Sequence, residues 1–204
     1  MHRRSPLAMA ALALLCYEPL HPYRMQQLLK QWGKGDVVNV GQRATLYKVI
    51  ERLDREGLIA VREVLREGQR PERVVYEITA EGRRVVVEWV RAMVASPAPD
   101  FPEFPAGMSF VMLLGPDDAL AQLECRRADL QAELDRQTEG LRGAVGVPRV
   151  ALLDSEYQWA VTGTELRWVE GVVDDLRSGR LTWSEDQLRA AARAGEETAG
   201  EDAG

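Results

Sequence analysis

Side chains with several hydrogen-bond donors are concentrated between positions 42 and 52. Arg43 carries two parallel donors that fit a guanine edge, and Gln42 carries the donor and acceptor that fit adenine. Thr45 completes the group that we expect to reach base edges. Tyr47, Lys48 and Arg52 suit phosphate oxygens, which set the register of a protein on DNA rather than its sequence preference. The alternative for each residue is a solvated surface side chain.

A helix from about 42 to 56 is predicted to carry these residues. Apolar residues repeat at helical spacing along it, at Leu46, Val49, Ile50 and Leu53, and Gly57 is typical of a left-handed helix end. Two shorter helices precede it. The first begins at Ser5 and Pro6 and is apolar on almost every side, which predicts burial. The second restarts at His21 and Pro22, so the three form a helix-turn-helix pattern.

The spacing of the apolar residues along the chain changes after Gly57. Residues 58–65 and 74–78 are predicted strands joined by a turn at 67–71, which makes the hairpin of a winged helix. Three arginines of this hairpin are predicted to reach the minor groove or the DNA backbone: Arg66, Arg70 and Arg73. A fourth helix follows, with Thr79 as its cap and Trp89 on it.

A proline-rich segment at 96–105 predicts a boundary between two domains. We expect a winged helix-turn-helix DNA-binding domain at 1–95, a helical dimerisation region at 106–184 and a disordered tail at 185–204. Residues 107–114 are predicted as a short helix, and long helices are predicted from Pro116 to about 140 and from about 150 to 177. The fold class is mainly α with a small β wing.

A heptad-like seam of leucines on the first long helix predicts a homodimer, through Leu120, Leu123, Leu130 and Leu134. Two-fold symmetry of such a dimer matches a palindromic operator in double-stranded DNA. The long helices have other ways to bury their apolar faces, which are packing on each other and packing on the first domain.

The charge of the chain is divided between its halves. Residues 1–95 have 16 Lys and Arg against 11 Asp and Glu, a net of +5, and residues 96–204 have 10 against 21, a net of −11; the sum is the −6 of the whole chain. A basic half joined to an acidic half is typical of a nucleic-acid-binding domain beside another module, although chance variation gives the same division.

The two cysteines, Cys16 and Cys125, form no CxxC, which predicts a reducing, cytoplasmic compartment without disulfides. The two histidines have no neighbours at metal-ligand spacing, so we expect no metal site and no cofactor. Residues 7–15 after two arginines resemble a signal peptide, but the run is short and lacks an Ala-x-Ala site, so we favour a buried helix. No apolar run has the ~20 residues that span a bilayer.

Several short motifs, in this order and spacing, resemble the PadR-like family of transcriptional regulators. They are Leu20-His21-Pro22-Tyr23, Thr45-Leu46-Tyr47, Arg52-Leu53, Glu56-Gly57-Leu58-Ile59, Gly68-Gln69-Arg70-Pro71 with Tyr76, and Thr79-Ala80-Glu81-Gly82. The run from Trp168 to Trp183 resembles the longer-tailed branch of that family. Ala44 and Lys48 depart from the family pattern, which often has Gly and Pro there.

The resemblance implies a dimeric winged helix that represses transcription, and an α-helical C-terminal region that makes the dimer. Tyr23, from the first motif, is included among the predicted DNA contacts. In several members a small planar or aromatic molecule relieves repression. Here Trp89, Tyr157 and Trp168 are the predicted effector contacts, and ordinary core or dimer packing is the alternative for each.

The sequence also bears on two other classes of function. Motifs of hydrolases, phosphate-binding loops and metalloproteases are absent from the sequence, which predicts that the chain is not an enzyme. A winged helix also serves as a protein-interaction module without operator binding. A protein-binding third helix would expose apolar side chains, whereas this one is predicted to expose Arg43, Lys48 and Arg52.

Overall fold

The computed structural model describes residues 4–36, 38, 43–65 and 73–187. The chain divides into two compact units, with the division between Pro99 and Asp100. This division lies inside the proline-rich segment. The predicted turn at 67–71 and the tail beyond residue 187 lie outside the described residues.

The first unit contains four helices and one hairpin in its described part. They are α1 (Pro6–Leu15), α2 (Pro22–Gln31), α3 (Arg43–Arg55), β1 (Ile59–Leu65), β2 (Arg73–Ile78) and α4 (Ala80–Ala95), with a short 3₁₀ turn at Lys34–Asp36. This order confirms the winged helix-turn-helix that the sequence predicts, with the two strands as its wing.

Helix α1 forms the centre of the first core. The Ser5 hydroxyl accepts a hydrogen bond from the Ala8 amide at 3.2 Å, and Pro6 occupies the first helical position, where its missing amide hydrogen costs nothing. Leu12 is fully buried, and α1 packs against α3 and α4. The apolar run is therefore a core helix, as predicted.

The hairpin is antiparallel, with Ile59 opposite Ile78 and a bulge between Val61 and Glu63. Leu20 forms two backbone hydrogen bonds of 3.0 Å with Tyr76 of β2. This bridge fixes the start of α2 against the wing, because Leu20 stands two residues before the first residue of α2.

The backbone segments are packed very closely where the wing meets α4. The Thr79 hydroxyl accepts from the Gly82 amide at 3.0 Å and donates to the Gly57 carbonyl at 2.8 Å. A Cβ atom on Gly82 would lie 2.0 Å from the Leu58 carbonyl oxygen. Thr79 is therefore the predicted cap, and Gly57 has the predicted left-handed backbone at φ 70°.

The second unit is helical in its described part. It contains α5 (Glu103–Met108), α6 (Pro116–Gly143) and α7 (Leu153–Arg177), with 3₁₀ turns at Val111–Leu113 and Arg149–Ala151. The single short helix predicted at 107–114 is wrong: α5 begins earlier, at Glu103, and ends at Met108. The helix begins directly after Pro102, which has extended backbone (φ −68°, ψ 146°) and makes no side-chain capping hydrogen bond.

The leucine seam of α6 is covered within the chain. Leu123 and Leu130 are buried in a core with Leu166, Val169 and Val173 of α7, and Leu120 and Leu134 are partly buried against the same core. An ion pair joins Arg126 of α6 to Glu165 of α7 at 2.6 Å. The dimer interface through these leucines stays a prediction, and in one chain they pack on α7.

None of the helices in the described ranges is both long enough and apolar enough to cross a membrane.

Candidate nucleic-acid interface

Helix α3 has one buried side and one exposed side. Leu46, Ile50 and Leu53 are almost completely buried, which fixes the rotation of the helix against the first core. The opposite sides expose Thr45, Tyr47, Lys48 and Arg55. The apolar repeat that predicted the helix therefore also determines which polar side chains stand outward.

The predicted base-reading group is only partly within the described residues. Thr45 is exposed near the start of α3. Arg43 is the first residue of that helix, but its side chain lies outside the described part, as does all of Gln42. Lys48 is exposed one turn further along.

Arg52 differs from the expected surface cation. Its Nε and Nη2 atoms are buried and have no hydrogen-bond partner within the described part of the chain. A buried donor without a partner costs about 1–3 kcal/mol. With two of its donor atoms buried, Arg52 is less available to a phosphate than the exposed Lys48.

Acidic residues also lie on the exposed sides of α3. Glu51 and Asp54, together with Tyr47, raise the pKa of Tyr76 on β2, although burial of Tyr76 is the larger cause. These groups therefore lie close to the wing. They also mean that the described outer surface of α3 has both signs of charge, with Lys48 and Arg55 as exposed cations there.

His21 has a structural role that spacing rules for metal ligands did not reveal. Its Nδ1 accepts a hydrogen bond from the Arg24 amide at 3.2 Å, so the imidazole caps α2. Its ring stacks on Tyr23 with centroids 6.1 Å apart, and Tyr23 is 43% exposed. Burial first, then the positive charges of Arg73 and Arg24, lower the pKa of His21. The signal in the sequence was the proline that follows it, because the residue before a first-turn proline is the cap position.

The predicted contacts of the wing are mostly outside the described residues. Arg66 and Arg70 lie there. Arg73, the first residue of β2, is exposed and acts electrostatically on His21. The structure therefore brings Tyr23 and Arg73, two of the predicted DNA contacts, to the start of α2.

The three predicted effector residues have different surroundings. Trp89 is 7% exposed and belongs to the core of the first unit, which is the packing role that was the alternative for it. Tyr157 is 64% exposed and Trp168 is 49% exposed, both on α7 of the second unit. Trp168 makes an edge-to-face contact with Phe104 at 6.1 Å.

Three helices followed by a two-stranded wing and a further helix define the winged-helix class of proteins. Residues 11–88 match the profile of the family described as "Transcriptional regulator PadR-like family". The chain therefore contains a PadR-like family domain. No curated protein sequence matches the chain.

Several solved structures resemble the fold over most of the chain. PadR of Bacillus subtilis in complex with operator DNA has a TM-score of 0.68 at 20% identity, over 83% of this chain and 98% of that one. The same protein in complex with p-coumaric acid has a TM-score of 0.68 at 18% identity, over 85% and 99%. The virulence activator AphA of Vibrio cholerae has a TM-score of 0.62 at 17% identity, over 84% and 98%. At these identities the likeness establishes the fold.

Proposed function

We propose that this protein is a sequence-specific transcriptional regulator that binds a palindromic operator in double-stranded DNA as a homodimer. The observation that carries the proposal is the outward side of α3, where Thr45 and Lys48 are exposed within a PadR-like winged helix. A relative with this fold has been solved on operator DNA. Recognition helices of this class place their N-terminal residues against base edges.

The competing function is a protein-interaction module. Such a surface needs a contiguous apolar patch on the outer side of α3. In the described part of α3, Tyr47 is the large apolar side chain with substantial exposure, at 46%, and its neighbours there are polar or charged. The composition of this surface favours DNA as the partner.

Selection of bound sequences from random double-stranded DNA tests the proposal directly. We expect enrichment of one palindromic motif, whose half-sites lie about one helical turn apart. Enrichment must disappear at high salt, because phosphate contacts release counterions. Recovery of DNA without any shared motif would contradict sequence-specific binding.

We propose further that the protein is a repressor. The fold alone does not distinguish repression from activation of transcription, because a relative with the same fold is called an activator. In a reporter strain, removal of the gene should raise transcription from the operator found by selection. Lower transcription after removal would make the protein an activator and leave the DNA-binding proposal intact.

Release from the operator by a small planar aromatic molecule is the last part of the proposal. Support comes from the relative solved with p-coumaric acid and from the exposed aromatic side chains Tyr157 and Trp168. Trp89 remains a predicted contact, although reaching it requires a rearrangement of the first core. In a variant that keeps Trp89 as its single tryptophan, an effector that releases DNA should change the Trp89 fluorescence. If the Trp89 fluorescence does not change, and Trp89→Ala still releases DNA normally on addition of the effector, then the effector binds elsewhere.

A further inference from the structure

The second unit contains an apolar cavity of about 220 Å³. Residues of α5, of the 3₁₀ turn at Val111–Leu113, of α6 and α7 and of the chain after α7 line it, and the cavity is partly open to solvent. The described residues that line it are Met108, Val111, Met112, Ala119, Leu123, Val172, Leu176, Leu181, Thr182 and Trp183. None of the predicted effector contacts is among them.

One wall of the cavity is a chain segment that returns over the end of α7. Gly179, with φ 71°, reverses the chain, and the Leu181 amide donates to the Asp175 carbonyl at 3.0 Å. The indole Nε1 of Trp183 then donates to the Leu114 carbonyl at 2.9 Å. The segment is therefore attached at two places, which are the end of α7 and the Leu114 carbonyl. Leu114 lies 69 residues before Trp183 in the sequence.

The lining determines the charge of a suitable ligand. No described lining residue is ionisable, and Thr182 supplies the one side-chain hydroxyl. The indole N–H already has its acceptor at Leu114. An ionised carboxylate placed against this lining would lose part of its hydration without gaining a cation, so the cavity favours uncharged ligands.

The volume determines the size of the ligand. A cavity of roughly 150 Å³ lined by aliphatic and aromatic side chains is sufficient for benzene, so about 220 Å³ has room for one ring with a short substituent. Met108 and Met112 have flexible, unbranched side chains, which adapt to ligands of slightly different shape.

We propose that this cavity is a binding site for an uncharged molecule with a single aromatic ring. Binding itself does not depend on the proposed DNA function, and only an effect of the ligand on operator affinity would rest on it. The site differs in residues from the effector contacts predicted at Trp89, Tyr157 and Trp168.

The first test compares two probes of the same shape and different charge by titration calorimetry on the full chain. 4-Methylacetophenone is neutral, and 4-methylbenzoate carries a carboxylate in place of the acetyl group. At neutral pH we expect the ketone to bind at least ~10-fold more tightly, because the cavity has no described cation to pair with the carboxylate. Equal affinities, or no binding of the ketone, would overturn the proposal.

The second test locates the bound ketone. Val172→Phe narrows the cavity and should weaken binding by ~10-fold or more, whereas Val161→Phe, on the exposed part of the same helix, should change it less than ~2-fold. Both variants are checked by thermal unfolding. Equal effects of the two substitutions would contradict the assignment.

Trp183→Phe provides a readout that does not depend on Val172. The ketone should quench part of the tryptophan fluorescence of the unmodified chain, and this quenching should be lost in Trp183→Phe, because Trp183 is the tryptophan that lines the cavity. Quenching that persists at full amplitude in Trp183→Phe would place the ketone beside another tryptophan and refute the site.

Discussion

At the scale of single residues, the missing side chain of Gly82 and the unprotonated Nδ1 of His21 determine local packing in the first unit. Gly82 admits no Cβ because the Leu58 carbonyl occupies that space. His21 caps α2 only while its Nδ1 is unprotonated. His21 acts at the start of α2, next to the Leu20–Tyr76 bridge to the wing, and Gly82 acts at the junction of the wing and α4.

Gly82→Ala should destabilise the first unit by about 2–3 kcal/mol, because the new Cβ would lie 2.0 Å from a backbone oxygen and the backbone must shift. Chemical unfolding monitored by circular dichroism measures this. Gly171→Ala is the matched control: nothing lies within 4 Å of its Cβ position in α7, so it should stabilise the helix by up to about 1 kcal/mol. Similar unfolding midpoints for the two variants would contradict the close approach at Gly82.

His21 should make stability depend on pH. The folded state lowers the pKa of His21 below its ordinary value of about 6.5, through burial first and then through the charges of Arg73 and Arg24. Between these two pKa values the unfolded chain binds more protons, so the contribution is complete above about pH 6.5 and is lost as the pH falls through the folded pKa. Protonation of Nδ1 also removes the acceptor for the Arg24 amide.

Unfolding measured from about pH 5.5 to 7.5 in the unmodified chain and in His21→Asn checks this, because asparagine caps a helix without titrating in that range. The stability difference should change with pH only below about 6.5. Parallel curves over the whole range would refute the role of His21.

At the scale of elements, α3 is a helix whose two sides have separate tasks. Its apolar side fixes its rotation through Leu46, Ile50 and Leu53, and its outer side presents Thr45 and Lys48. The burial of two guanidinium atoms of Arg52 shifts the expected phosphate contact towards Lys48.

Lys48→Ala should weaken binding to operator and random DNA alike and reduce the dependence of the binding constant on salt concentration by about one unit of slope per monomer.

Arg43→Ala should weaken the binding free energy on the operator by about 1–3 kcal/mol and relax base preference at one position in each half-site. Fluorescence anisotropy at several salt concentrations separates the two effects. Arg136→Ala, which removes the same charge from exposed α6, is the control and should leave the affinity unchanged. Equal losses on both DNAs for Arg43→Ala and Lys48→Ala would contradict the division of roles.

The α6–α7 pair has its own prediction. Leu130→Ala should lower the stability of the second unit by about 2–5 kcal/mol, because Leu130 is 5% exposed in a core with Leu166 and Val169. Thermal unfolding measures it. A variant of normal stability would mean that the leucine seam serves another contact, such as a second copy.

At the scale of the whole molecule, assembly is the property on which operator geometry depends. One chain leaves Tyr157 64% exposed and Trp168 49% exposed, and because they are 11 residues apart they lie on nearly the same side of α7. Large exposed aromatic side chains of this kind are typical of a protein interface. We therefore expect the proposed dimer to bury them.

Light scattering at micromolar concentration should give twice the chain mass of 22.8 kDa. Tyr157→Glu should reduce this mass towards that of one chain while the unfolding temperature of the second unit changes little, because Tyr157 is largely exposed in one chain. A monomer that binds a palindromic site as a single copy would refute the dimer.

The sequence by itself determined those features that depend on near neighbours in the chain. The caps at Ser5 and Thr79 and the left-handed Gly57 follow from local hydrogen bonding and backbone geometry. The buried side of α3 follows from helical spacing. The order of the helices and the wing was also predictable from the sequence, because helices and strands differ in the spacing of their apolar residues and have different residues at their ends.

Only the tertiary structure decided what covers each apolar side. Burial of apolar surface has no preferred direction, so the leucine spacing of α6 could not distinguish a second copy from α7. The same reason explains why Trp89 is a core residue, while Trp168 on a similarly patterned helix remains half exposed. Trp183 finds its acceptor at Leu114, a contact between distant parts of the chain that no local spacing rule predicts.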